Sequence, residues 1–336
     1  MVLARRVAIT GAMSYSGRYL TRLLLDEGVD SIVNLSSRPK PIAAHNVRAE
    51  HLERIEQRPL AFSQPSELAR SLEGVDVLAC TYWIRFARDG DTHAAAAARC
   101  ASLFKAAQEA GVRKIVFTSH TRATVDSPFA YIAGKAAAVE SLRELSARRG
   151  VNYAVARPCG IFGDTADESI LMNNAACILR HVPLMPLAGD GSHRFQPVHV
   201  RDMAELLAEL GPRSMESSGE EVDAVGPDCP TAHELFRRIA SACGAAPLRV
   251  IPTKVMPSYL PPRLVVSMSK PIDWITGDVL LDGDDLDLLC SGLTVADCPE
   301  DPRIAGRRSL FAWLEEVGGS LGRQYVSSVG RYYQKG

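Results

Sequence analysis

The sequence lacks most of what marks a membrane, nucleic-acid or disulfide-framed protein. No apolar run in its 336 residues approaches the ~18–20 that a bilayer core demands, so no membrane partner is expected. The charge has no dominant sign. Thirty-eight Lys and Arg against 39 Asp and Glu give a formal net charge of −1, which argues against nucleic acid as a partner. The eight cysteines include no C-x-x-C pair. That leaves reduced, mostly buried thiols in place of a zinc ribbon or a disulfide frame. His120 and His199 have no metal-ligand spacing around them, so no metal is expected. The amino end, MVLARRVAIT, has no apolar stretch with a small-residue cleavage site ahead of its first strand. No signal peptide is expected, and the location is read as cytoplasmic. Internal repeats and low-complexity linkers are also missing.

What is present is an alternation of short apolar strands with helices of 10–20 residues. Strands are expected at Val7–Thr10, Ser31–Leu35, Asn46–Leu52, Val75–Cys80, Lys114–Thr118 and Val151–Arg157. Between them lie helices at Arg18–Glu27, at Pro65–Leu72 with Ser63 as N-cap, at Asp91–Gly111 and at Tyr131–Arg149. This order specifies an α/β protein with a doubly wound parallel sheet. After about residue 160 the pattern changes. Helices are expected at Ile170–His181, at Met203–Leu210 opened by Asp202 as N-cap, and from Thr231 to Ala242, with strands at Phe195–Val200 and Glu221–Val225.

The whole is organised around Val7–Gly17, VAITGAMSYSG. Strand, glycine turn and helix aim backbone N–H groups at a pyrophosphate. Gly11 makes the turn and Gly17 lets the helix approach the strand, with Ser14, Tyr15 and Ser16 between them. Ser14 stands where the usual spacing has a middle glycine, so a side chain enters the place of closest approach to a phosphate. The second strand ends in Ser36-Ser37-Arg38, without an acid. Arg38 there suits a ribose 2′-phosphate and argues for NADP over NAD. Thr81-Tyr82-Trp83-Ile84-Arg85-Phe86 follows the fourth strand, where ligands bind in open sheets. Thr81 is a candidate cofactor contact, and Trp83 and Arg85 are candidates for a substrate wall.

Tyr131 and Lys135 are four residues apart and share a helix face. An ammonium beside a phenol lowers the phenol's pKa and suits it to proton transfer near neutral pH. Ser119, or Thr121, at the end of the fifth strand can hold a carbonyl oxygen beside that tyrosine.

With these residues in place the sequence resembles the short-chain dehydrogenase/reductase superfamily, of the extended or atypical, NAD-dependent epimerase/dehydratase-like kind. The likeness covers roughly residues 5–245. It rests on Thr10-Gly11 with Gly17, the Asp76 strand, Tyr131-x-x-x-Lys135, Arg157-Pro158-x-x-Ile161-Phe162-Gly163, and Gly189-Asp190-Gly191 through Arg194, Pro197-Val198-His199-Val200 and Asp202. The resemblance implies a Rossmann domain over residues 1–163. A smaller, interleaved substrate-binding portion of mixed α/β structure covers 164–336, with 195–200 and 203–210 as the stretches placed to return to the first sheet. It implies NADP or NAD as cofactor and a small-molecule substrate. Tyr131 becomes the acid/base, Lys135 the ribose contact, and Pro158 to Ile161 the stretch beside the nicotinamide. Arg194 falls where sugar-nucleotide enzymes hold a substrate phosphate. The reaction implied is hydride transfer at a carbonyl or secondary alcohol, with an epimerase or dehydratase, or a non-catalytic NADP(H)-binding sensor or accessory subunit, as alternatives. The protein is expected to be a monomer or a homodimer.

Overall fold

The computed structural model describes residues 3–37, 47–87, 90–182, 184–187, 191–245, 249–252, 283–297, 304 and 306–327. Arg38, Trp274, Gly189 and Asp190 lie outside the described residues.

Seven strands form one parallel sheet. In chain order they are β1 (Arg6–Thr10), β2 (Ser31–Ser36), β3 (Ile55–Pro59), β4 (Val77–Cys80), β5 (Lys114–Thr118), β6 (Asn152–Pro158) and β10 (Glu220–Ala224). Their order across the sheet is β10-β6-β5-β4-β1-β2-β3, and every neighbouring pair is parallel. The central strands are apolar at nearly every position because both faces are covered. Ala8, Leu78, Cys80, Ile115 and Phe117 face one way and pack with α2 (Pro65–Arg70), α3 (His93–Glu109) and α4 (Ala130–Arg149). On the other face α1 (Tyr15–Asp26) packs against α6 (Val200–Leu210). Gly211, just after α6, lies so close to Val77 and Val116 that a Cβ there would stand 2.6 Å from the Val116 side chain. This is the order in which ligands bind outside the carboxyl ends of the strands, where the winding reverses between β1 and β4.

Side-chain staples fix the register. The Asp76 carboxylate accepts the Arg5 and Arg6 N–H groups, both at 2.9 Å. At the opposite end the Thr10 hydroxyl accepts from the N–H groups of Thr81 (2.8 Å) and Tyr82 (2.9 Å).

The chain divides into two compact units. One comprises 1–158 and 200–224; the other comprises 159–199 and 225–336. The sheet belongs to the first. The second has its own core, in which Phe162, Met172, Leu235, Ile239, Trp313 and Leu314 are buried together. These side chains come from the segment after β6 and from α5 (Ile170–His181), α7 (Ala232–Ala242) and α9 (Leu310–Val317). Between the last two lies α8 (Gly283–Cys290). Its strands form two parallel pairs, β7 (Ile161–Phe162) with β9 (Val198–His199) and β8 (Leu184–Leu187) with β11 (Arg249–Pro252).

Several expectations are corrected. The stretch 195–200 does not return to the main sheet: β9 pairs with β7, and β10 supplies the seventh strand. The expected strand at 46–52 is a 3₁₀ turn, Ala49–Arg54, with β3 after it. The turn forms because Arg54 donates to the carbonyls of Leu25, in the last turn of α1, and Asp30, in the loop after it, while His51 bonds Asp26 at 2.9 Å. Asp202 lies within the first turn of α6, which begins at Val200, and so is not its N-cap. Gln64, not Ser63, precedes α2. Gly150 closes α4 in the left-handed conformation, φ +72°, and Thr231 caps α7 by accepting the Glu234 N–H.

Candidate functional site

The glycine turn fits a phosphate. Gly11 has φ +67°, a conformation that costs glycine little. A Cβ on Gly17 would stand 2.1 Å from the Gly11 carbonyl oxygen, so only glycine lets α1 start this close to β1. No side chain caps α1, and no acid occupies its first turn. Its leading N–H groups, which lack helical acceptors, therefore keep their positive end for an anion. Ser14 is exposed, and its Oγ lies 3.0 and 3.3 Å from the points where side chains on Gly17 and Gly11 would begin. It folds back over the turn. Tyr15 and Ser16 are half-buried in the first turn of α1. Asn34, buried in β2, was not foreseen. Its Oδ1 accepts the buried Ala12 N–H at 2.8 Å and locks the loop from below.

A second group of side chains gathers at the ends of β4 and β5. Lys135 is 2 % exposed. Its Nζ donates to the Thr118 carbonyl at 2.5 Å and lies 4.4 Å from the ring centre of Trp83 and 4.9 Å from that of Phe117. Burial pulls its pKa down to about 8, because an ammonium loses its hydration there. Tyr131 stands one turn earlier, with Trp83, His93 and His120 edge-on to its ring at 6.0, 5.3 and 5.9 Å. His120 is buried and donates from Nδ1 to the Thr121 carbonyl at 2.8 Å. Burial lowers its pKa to about 4, so the ring is neutral at pH 7.

Ser119 and Thr121 are both buried beside this group. Ser119 N–H donates to Ala156 and Thr121 N–H to Pro158, holding the loop to β6. Ser119 Oγ and Thr118 Oγ1 are buried with no hydrogen-bond partner among the described residues. Such atoms call for a water or a ligand oxygen. Arg122 follows with φ +50°, a left-handed conformation unusual for a side-chain-bearing residue.

The remaining candidates are placed as follows. Thr81 is spent on structure, its Oγ1 donating to the Thr10 carbonyl at 2.6 Å. Arg85 lies 4.9 Å over the ring of Phe86. Ile161 and Arg194 belong to the second unit; the Arg194 guanidinium donates to the Cys229 carbonyl at 2.7 Å. His93, Phe117 and Gly134 are contacts that sequence reasoning missed. A glycine inside an alanine-rich helix was the one available signal, because helix interiors disfavour it. A Cβ on Gly134 would meet the His93 carbonyl at 2.9 Å and the Trp83 ring at 3.2 Å.

The parallel strand order and the glycine turn between β1 and α1 define an α/β protein of Rossmann type. Residues 7–219 match the model of the NAD dependent epimerase/dehydratase family, and the chain belongs to that family. Among curated proteins it is 24% identical over 237 residues to the mitochondrial NADH dehydrogenase [ubiquinone] 1 alpha subcomplex subunit 9 of Arabidopsis thaliana, covering 68% of this chain and 55% of the relative. The chain thus spans about half the length of that relative. Among solved structures, a double mutant of the dTDP-glucose 4,6-dehydratase DesIV of Streptomyces venezuelae, with NAD and DAU bound, superposes with a TM-score of 0.59. That match is at 21% identity over 73% of this chain and 84% of the other. The structure of gox2253 superposes with a TM-score of 0.62, at 19% identity over 93% and 96%. These likenesses concern the fold. No helix among the described residues is long and apolar enough to cross a membrane.

Proposed function

We propose that the protein is an NAD(P)-dependent oxidoreductase acting on a carbonyl or secondary alcohol of a small molecule, with NADPH preferred. The observation that carries this reading is the pairing of a glycine turn and an uncapped helix with a Tyr131–Lys135 pair near the Ser119 hydroxyl, which is buried without a hydrogen-bond partner among the described residues. The dinucleotide, when bound, supplies the hydride acceptor or donor. Gly11 and Gly17 admit its pyrophosphate to the start of α1, where Ser16 and Gly17 lie in the first turn, while the Ser14 N–H closes the turn on the Gly11 carbonyl at 2.8 Å. Arg38 takes the 2′-phosphate; β2 ends at Ser36 and Ser37 follows it, without a carboxylate to bind a free 2′-hydroxyl. Ser119 and Thr121 hold the substrate oxygen. Tyr131 moves the proton to or from that oxygen. Lys135 keeps a positive charge near the phenol and offers donors to the ribose, and Pro158 borders the nicotinamide.

The test is titration with NADPH and with NADH, followed by turnover of a carbonyl panel with Tyr131→Phe alongside. Tight NADPH binding, weaker NADH binding and a loss of about 10²–10⁴ in turnover for Tyr131→Phe are expected. A normal rate in the variant removes Tyr131 from the chemistry. NADH preference returns Arg38 to a surface role and favours an epimerase or dehydratase with tightly held NAD. One observation favours a second reading, a dinucleotide-binding accessory subunit without turnover: Lys135 is covered by Trp83 and spends a donor on Thr118. The Arabidopsis relative is itself named as a subunit. Binding without turnover of any carbonyl tested supports that reading. The described cysteines are all free thiols, in keeping with a reducing, cytoplasmic compartment. The protein acts as a monomer or a homodimer; the groove between α3 and α4 is lined by small residues, among them Ala97, Ala101, Ala133 and Ala137.

A further inference from the structure

The ammonium of Lys135 is boxed in. It has three donors and no acceptor. One donor goes to the Thr118 carbonyl, and ring faces of Phe117 and Trp83 flank the rest. A ribose hydroxyl reaches Nζ only if one ring leaves. Phe117 cannot leave: it is fully buried in β5 and meets Phe104 edge-on at 5.5 Å.

Trp83 is held differently. It sits on the stretch after β4 and is only half-buried. Its Nε1–H is buried with no partner among the described residues, a cost that a rotated indole, with its N–H in water, recovers. The ring lies on α4 at Gly134, where a side chain would obstruct it. His93 stacks beside it at 6.3 Å with a 9° interplanar angle. One indole thus touches both Tyr131 and Lys135.

We propose that Trp83 is a positioning residue for Lys135 that is displaced by the dinucleotide: its indole closes the space over the ammonium in the free protein and swings aside on binding, so that Lys135 meets the ribose hydroxyls. The inference rests on the dinucleotide reading above. It goes further in assigning the free protein a closed state that the cofactor must open. A protein that is open only part of the time binds more weakly by that fraction. Removing the plug therefore strengthens binding, whereas removing an ordinary wall of a pocket weakens it.

The experiment titrates the full chain with NADP⁺ and with NAD⁺ in turn, by calorimetry and by tryptophan emission, in wild type, Trp83→Phe and Trp83→Ala. The phenylalanine variant keeps a ring in place, separates the Trp83 signal from those of Trp274 and Trp313, and guards against loss of the fold in the alanine variant. An emission change that saturates with the calorimetric binding curve, is absent in Trp83→Phe, and accompanies roughly tenfold tighter binding in Trp83→Ala supports the proposal. Binding to Trp83→Ala alone also supports it. Calorimetric binding to wild type with silent Trp83 emission, or with equal or weaker affinity in Trp83→Ala, overturns the displacement and leaves the dinucleotide reading standing. No heat of binding with either nucleotide in any of the three proteins overturns the dinucleotide reading, and the displacement with it.

Discussion

The glycine turn and the Tyr131–Lys135 corner lie in the same unit but are built on opposite plans. The turn is backbone, held by neighbours at fixed distances: Asn34 accepts the Ala12 N–H, and Thr10 ties the end of β1 to the end of β4. It is preformed, because what it presents is an uncapped helix end that needs no rotamer to change. The corner is made of side chains. A cation lies between two rings, and hydroxyl and indole groups have no hydrogen-bond partner among the described residues. Backbone sites are rigid and legible. A side-chain site depends on rotamers, which can change, and on which distant residues meet.

Three substitutions break or sharpen this contrast. The largest effect is expected from Gly17→Ala. Its Cβ would stand 2.1 Å from a backbone oxygen, and backbone cannot step aside as a flexible side chain does. Dinucleotide binding in calorimetry is lost, and the urea midpoint falls by the equivalent of about 3 kcal/mol. A variant that binds normally shows that the turn is not the phosphate site.

Lys135→Met comes next and strikes the corner. Burial holds the lysine at about 8 in the folded chain, against about 10.4 unfolded. Between those pH values the unfolded chain carries a proton that the folded chain lacks, so wild-type stability rises with pH across the window. Below about pH 8 the full penalty is present. Relative to Lys135→Met, wild type gains up to about 3 kcal/mol between pH 8 and 10.5 in urea unfolding. Lys114, which burial also holds near 8, is common to both proteins and cancels. Parallel curves for the two proteins place the ammonium in water.

Asn34→Ala is the smallest. It leaves the buried Ala12 N–H without its acceptor, at a cost of about 1–2 kcal/mol. Dinucleotide affinity falls with it, while the pH response set by Lys135 is unchanged. A shifted pH response in this variant means that the two regions are coupled.

Much of the first unit was readable because its signals are local. Gly11 and Gly17 mark a turn by what lacks a side chain. The apolar run of β5 marks a strand covered on both faces, and Gly150 marks a helix end. The 3₁₀ turn at 49–54 was not readable, since Arg54 and His51 bond to α1 residues more than 20 positions away. Of the corner, the i, i+4 spacing of Tyr131 and Lys135 was visible and their surroundings were not. Nothing in the sequence says that Trp83, fifty residues earlier, lies on Lys135, or that His93 stacks beside it.

By itself, then, the sequence determined the parallel α/β class, the glycine turn and the residue types available for proton transfer, because period, turn chemistry and helical spacing act over a few residues. Tertiary structure alone decided that β10, and not 195–200, completes the sheet. It also decided that the Lys135 ammonium rests under an indole, because both depend on which distant segments meet when the core is packed.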